Sequence, residues 1–181
     1  MTNPDQYRNS VEFFDKKDFQ EKNKKSSLIL AAYELKTPDN AGSIIRLAGN
    51  LGIDKVYFIH ENHVMRPRKM TRVAHSSLGH VDFKIVTEEE FWKAISNEYK
   101  FIALETTKQS QNIYQYQFPK KCVLICGNER FGINNEMLNK CDGSVFIPNP
   151  GKTRSMNVSH ALTVAAYEWA KQCWPKQMNV K

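Results

Sequence analysis

The sequence predicts an α/β protein: a mostly parallel sheet with helices on both faces. Three observations point there. Short apolar runs alternate with segments of helical periodicity. The runs are continuously apolar rather than alternating, as strands buried on both faces require. The chain of 181 residues, 41% hydrophobic and 25% charged, holds enough apolar material for one core. No apolar stretch approaches the roughly 20 residues of a membrane span. The first residues lack the apolar centre of a secretion signal. A cytoplasmic protein is therefore expected.

Residues 1–25 carry six basic and five acidic side chains and read as a polar arm or helix, with Val11, Phe13, Phe14 and Phe19 as a possible stripe. Residues 26–175 read as the folded domain and 176–181 as a tail. SLILAAYEL (27–35) suits a buried strand. A helix follows, with Asp39 or Asn40 as its cap and Ala41, Ile44, Ile45, Ala48 and Leu51 on one face; Gly52 closes it. KVYFI (55–59) is a second strand. The segment 60–80 is basic and irregular, with room for a short helix. DFKIV (82–86) is a strand, and Thr87 with Glu90 forms a capping box before FWKAI. KFIALE (100–105) and KCVLIC (121–126) are strands, and a short helix near 134–139 precedes the strand SVFIP (144–148). A last helix runs from about Ser155 to Cys173, with Val158, Ala161, Leu162, Ala165 and Trp169 inward.

The formal charge of +7 favours polyanionic partners. Arg66, Arg68, Lys69 and Arg72 form a basic stretch without an intervening acid, and Lys152 and Arg154 add charge beside a Gly/Pro loop. These six are the candidate RNA contacts, against the alternative of two solvated loops. Cys122, Cys126, Cys141 and Cys173 form no C-x-x-C pair and fit no zinc spacing, so they read as reduced thiols and no metal is expected.

Three loops follow the C-terminal ends of strands, where ligands of open α/β sheets gather. In NAGSIIRLAGN (40–50), Arg46 lies on an otherwise apolar helix, about 600° around from Asn40. It needs an anion or an acceptor, and a buried ion pair is the structural alternative. In LICGNERFGI (124–133), Gly127 allows a sharp turn or a close approach. Asn128 and Glu129 there can accept from a ligand amine or from an arginine; a tight turn with solvated side chains is the alternative. Neither Gly-Lys-Ser/Thr nor G-x-G-x-x-G is present, which counts against a nucleotide-cofactor enzyme. In IPNPGKTRSMNVSHAL (147–162), a stiff Pro/Gly loop can offer backbone groups to an adenine, while Ser155 or Asn157 leads the last helix. His160 reads as a helix-face histidine.

Taken in order, these segments resemble the SpoU/TrmH family of SPOUT-type RNA 2'-O-ribose methyltransferases. The family's N-x-G-x-x-x-R appears as NAGSIIR (40–46), its G-N-E-x-x-G as GNERFG (127–132), and its last motif as Ile147-Pro148 through Gly151 to SMNVSHA (155–161). Met156 stands where Leu is usual, and Asn149-Pro150 where a Met-containing pair is common. Residues 1–25 have no clear counterpart. The resemblance implies a C-terminal deep trefoil knot, a rare departure from unknotted connections. It implies S-adenosylmethionine held near Glu105, Gly127, Ile147, Met156 and Asn157. It also implies a homodimer with each site at the subunit interface. Arg46 would act on the ribose hydroxyl. Asn40 and Glu129 would hold Arg46 and the ribose edge, and Ser155 and Asn157 would shape the pocket. The implied activity is methylation of a ribose 2'-OH, in tRNA before rRNA, because a compact core can read a tRNA by shape. An inactive RNA-binding protein of the same fold is the alternative.

Overall fold

The computed structural model describes residues 27–61, 67–74, 77 and 79–174. The expected N-terminal arm and C-terminal tail lie outside them. In chain order the elements are β1 (Leu28–Tyr33), α1 (Pro38–Asn50), β2 (Lys55–Ile59), α2 (Pro67–Ala74), β3 (Asp82–Val86) and α3 (Glu88–Ala94). They continue with β4 (Lys100–Leu104), β5 (Gln111–Asn112), β6 (Cys122–Cys126), α4 (Asn135–Asn139), β7 (Gly143–Phe146) and α5 (Val158–Cys173).

The seven strands form one sheet in the order β3-β2-β1-β6-β4-β7-β5. Every pairing between them is parallel. β1 and β6 sit at its centre, and all their residues are buried, because helices cover both faces. On one face Ile29, Ala31, Tyr57, Val123 and Ile125 pack with Phe91 of α3 and Met137 of α4. The other face is covered by α1, α2 and α5, which touch one another or the sheet.

Local chemistry sets the boundaries. The Thr87–Glu90 capping box forms as expected: Thr87 Oγ1 accepts from the Glu90 amide at 3.2 Å, and Glu90 accepts from the Thr87 amide at 2.8 Å. Helix α1 starts earlier than expected. Pro38 takes its first turn, where a missing N–H costs nothing, so Thr37 is the N-cap and Asn40 lies inside the helix. Gly42 lets α1 meet α2 closely: a Cβ there would lie 2.5 Å from Cβ of Val73 and 2.7 Å from the Met70 carbonyl oxygen. The motif glycine of 40–46 is thus a packing residue. Helix α5 starts later than expected, at Val158 rather than about Ser155. Asn157 takes the cap: its Oδ1 accepts from the Ser159 amide at 2.9 Å and the Ser159 hydroxyl at 2.7 Å. The two-residue strand β5 is too short to leave a periodic signal, and the sequence reading missed it.

Among the described residues no helix is long and apolar enough to cross a membrane. No cluster of potential metal ligands occurs among them either.

Candidate functional site

The three candidate loops meet through one chain of side-chain hydrogen bonds. Glu129 follows β6 and reaches the N-terminus of α1. One carboxylate oxygen accepts from the Thr37 amide at 3.0 Å, the Thr37 hydroxyl at 2.5 Å and Asn40 Nδ2 at 2.9 Å. The other accepts from the Lys36 amide at 2.9 Å. Asn40, buried, uses its own Oδ1 to accept from Asn157 Nδ2 at 3.1 Å. Residues 37, 40, 129 and 157 are thereby tied into one polar unit at the C-terminal edge of the sheet.

Electrostatics explain why the carboxylate stays ionised. Burial pulls its pKa up, but hydrogen bonds from Thr37, the Lys36 amide and Asn40 outweigh that and hold it down at about 2. The positive end of α1 adds to the same preference. A carboxylate this acidic is a poor proton acceptor near neutral pH. It serves as an anchor.

The turn carrying Glu129 is itself rigid. Asn128 and Gly132 exchange two backbone hydrogen bonds, both 3.0 Å. The Asn128 side chain accepts from the amides of Arg130 at 2.8 Å and Phe131 at 3.1 Å, and donates to the Glu34 carbonyl at 2.7 Å. Glu105, at the end of β4, accepts from the Ile133 amide at 2.9 Å and braces the far side of the turn. Gly127 must be small: a Cβ would sit 2.3 Å from the Gly132 carbonyl carbon. Gly127→Ala therefore forces backbone against backbone. It is expected to cost about 1–3 kcal/mol, as overpacking does, read as a lower urea midpoint. An unchanged midpoint would show that the turn can open freely.

Arg46 is exposed and makes no hydrogen bond or ion pair with a described residue. The buried ion pair considered for it is not formed. Neither Asn40 nor Glu129 holds it, contrary to expectation. The oxygens of Glu129 are already engaged by shorter-range donors, and Arg46 lies about 9 Å farther along α1, on another side of the helix. Ile147 is half-buried, while Lys152, Arg154, Ser155, Met156 and Asn157 are exposed. Arg72 is exposed on α2; Arg66 and the side chains of Arg68 and Lys69 lie outside the description. His160 is exposed on α5, as a helix-face residue.

Thr37 was missed as a site residue. The Thr-Pro pair, a cap residue before a first-turn proline, was the available signal.

Backbone groups of residues 147–156 make no hydrogen bonds with the described residues. That loop therefore presents unused amides and carbonyls beside Asn157. This donor and acceptor set suits an adenine and its ribose, so the residues fit an adenosyl cofactor. A cavity of about 490 Å³ lies elsewhere, between Thr107–Gln111 and residues 135–144. Its lining shares no residue with the hydrogen-bonded unit.

A model of the SpoU rRNA Methylase family matches residues 27–167. The tRNA (guanosine(18)-2'-O)-methyltransferase TARBP1 of Mus musculus is 28% identical over 151 residues, covering 81% of this chain and 10% of that protein. The 23S rRNA (guanosine-2'-O-)-methyltransferase RlmB of Acinetobacter baylyi is 28% identical over 153 residues, covering 83% of this chain and 62% of that protein. The chain thus spans less than two thirds of either relative. A solved structure concerned with the 2-OH methylation of C/U34 on tRNA superposes with a TM-score of 0.72 at 28% identity, covering 80% of this chain and 95% of that one. An AdoMet-bound rRNA methyltransferase from Sinorhizobium meliloti shares the fold, with a TM-score of 0.74 at 21% identity, covering 84% of this chain and 59% of that one.

Proposed function

The chain belongs to the SpoU rRNA Methylase family, and on that premise we propose that it is an S-adenosylmethionine-dependent RNA methyltransferase acting on a ribose 2'-OH, in tRNA before rRNA. The observation that carries this reading is the hydrogen-bonded unit of Thr37, Asn40, Glu129 and Asn157, which joins three distant segments beside an unpaired backbone loop. The structure with the highest coverage of its own chain among those above concerns a tRNA reaction, which supports the tRNA preference.

S-adenosylmethionine supplies an activated methyl group on a sulfonium. The remaining difficulty is a weakly acidic hydroxyl and the alignment of oxygen, carbon and sulfur. Backbone groups of 147–156, with Gly127, Ile147 and Met156 at its borders, would hold the cofactor; Glu105 would keep the 127–133 turn in place. Asn157 and Ser155 would shape the entrance. Alignment of this kind can lower a barrier by several kcal/mol, up to about 7–11 in well-oriented reactions. Arg46 carries a planar guanidinium with five N–H donors and no acceptor. It would therefore clamp the RNA phosphate and steady the oxygen as negative charge develops. Transfer of that methyl group would require the hydroxyl proton to leave to phosphate or water while Arg46 holds the oxygen. Glu129 and Asn40 act as positioning residues, fixing α1 and hence the base of the Arg46 side chain.

A trefoil knot and a homodimer belong to the same proposal. The placement of β6 between β1 and β4, and of β7 between β4 and β5, supports the first. The exposed Met156 and Tyr167 offer apolar surface for the second. The four free thiols suit the cytoplasm. The domain is taken as residues 26–175, and the family match over 27–167 lies within it.

RNA would be gripped by Arg66, Arg68, Lys69, Arg72, Lys152 and Arg154. Phosphate contacts release counterions, so with six such contacts affinity should fall by about 300- to 1,000-fold between about 50 and 200 mM salt. A filter-binding series measures this; a flat profile removes these residues from the interface. The activity itself is tested by mass spectrometry of nucleosides from tRNA and rRNA incubated with the protein and isotope-labelled S-adenosylmethionine. Label on a 2'-O-methylnucleoside is expected. Label on a base, or none, contradicts the reading.

A further inference from the structure

Resting on that reading, we propose that Phe131, at the tip of the Asn128–Gly132 turn, stacks on an unpaired base of the RNA close to the methylated ribose. Phe131 is 73% exposed, the most exposed of the large hydrophobic side chains described. The turn does not need the ring for its own stability. It is held by the paired backbones of Asn128 and Gly132 and by the Asn128 side chain, which accepts from the Phe131 amide itself at 3.1 Å. The ring therefore projects from a fixed backbone, and little freedom of the main chain is left to lose on binding.

Its neighbour defines the partner. The guanidinium carbon of Arg130 lies 5.1 Å from the Phe131 ring centroid. Aromatic ring and guanidinium together form a cationic stacking surface, the chemistry that receives splayed bases of single-stranded RNA. A protein contact would have to strip water from that guanidinium and supply an acid in its place, whereas a nucleotide brings both a base face and a phosphate. Position agrees. Phe131 is two residues from Glu129, at most about 7 Å of chain, and Glu129 is bound to the start of the helix that carries Arg46. A base stacked there belongs to a nucleotide near the reacting sugar. A base within a duplex has no free face, so the occupant is an unpaired or extruded nucleotide.

The test compares wild type with Phe131→Ala, Phe131→Trp and Phe131→Leu. Affinity is measured by fluorescence anisotropy for unfractionated tRNA and for a short single-stranded RNA of mixed sequence. S-adenosylmethionine binding is measured by calorimetry and subunit state by sedimentation. Phe131→Ala should weaken RNA binding by about 5- to 100-fold. Phe131→Trp should restore it and Phe131→Leu should not, while cofactor affinity and subunit state stay as in wild type. Wild-type RNA affinity in Phe131→Ala overturns the proposal, as does rescue by Leu equal to that by Trp. Dissociation of subunits in Phe131→Ala, or loss of its cofactor binding, overturns it too, by making the ring an interface or structural residue. If wild type itself binds no RNA, the methyltransferase reading fails first and stacking falls with it.

Discussion

Arg46→Ala is expected to slow methyl transfer by at least about 10²- to 10³-fold, the usual loss when a donor to a developing oxyanion is removed. Cofactor affinity should change little, because Arg46 lies on α1 and the unpaired backbone loop lies at 147–156. Stability should also change little. Arg46 is exposed and has no partner among the described residues, so its removal strands no buried group. That separation makes the variant informative: a chemical defect would not be a folding defect. Arg46→Lys should recover only part of the rate, since a single ammonium lacks the planar fork that binds phosphate in two places. Single-turnover kinetics with saturating cofactor measure both variants. Near-normal turnover in Arg46→Ala would remove this residue from the mechanism.

Glu129→Gln has the second large expected effect, on stability and activity together. Four donors converge on the carboxylate: two backbone amides, a hydroxyl and an Asn amide. An isosteric amide would turn one oxygen into a donor and set N–H against N–H. The loss is expected to be about 1–3 kcal/mol, near the lower end because the group is partly solvated. Its pH dependence has a definite sign. The folded pKa, about 2, lies below the ordinary value of 4.5. Stability from this group is therefore fully present above about pH 4.5 and is lost as pH falls through about 2. Urea unfolding across that window should show wild type losing its advantage over Glu129→Gln as the medium becomes acid. A constant difference between the two would contradict the anchor role. Because Asn40 loses its acceptor in the variant, its bond to Asn157 loosens as well, and turnover should fall without any change in the reacting groups themselves.

Much of the fold was legible because burial on both faces leaves continuous apolar runs. KVYFI and DFKIV emerge as β2 and β3 with unchanged limits. CVLIC is the central strand β6. Helix ends were less legible. Asp39 and Asn40 looked like caps by residue type, but Pro38 moved the start of α1 toward Thr37, and Asn40 was carried inside the helix. At α5 the cap fell to Asn157, because its side chain reaches the Ser159 amide. Polar residues of the site could be named from the sequence, but their partners could not. Glu129 and Asn40 are 89 positions apart, and Asn157 and Asn40 are 117 apart. No local periodicity encodes such pairings. The family resemblance implied Arg46 in their company; the roughly 600° between it and Asn40 along α1, already readable from the sequence, turns it away.

Under the proposed function the loops at 127–133 and 147–157 form one cofactor site next to Arg46. A crystal structure of the protein with S-adenosylhomocysteine tests it most directly. The adenosine should be bound by backbone groups of 147–156, with the sulfur facing α1. A ligand seated instead in the cavity between Thr107 and Ser144, with the 147–156 backbone still unpaired, would contradict it.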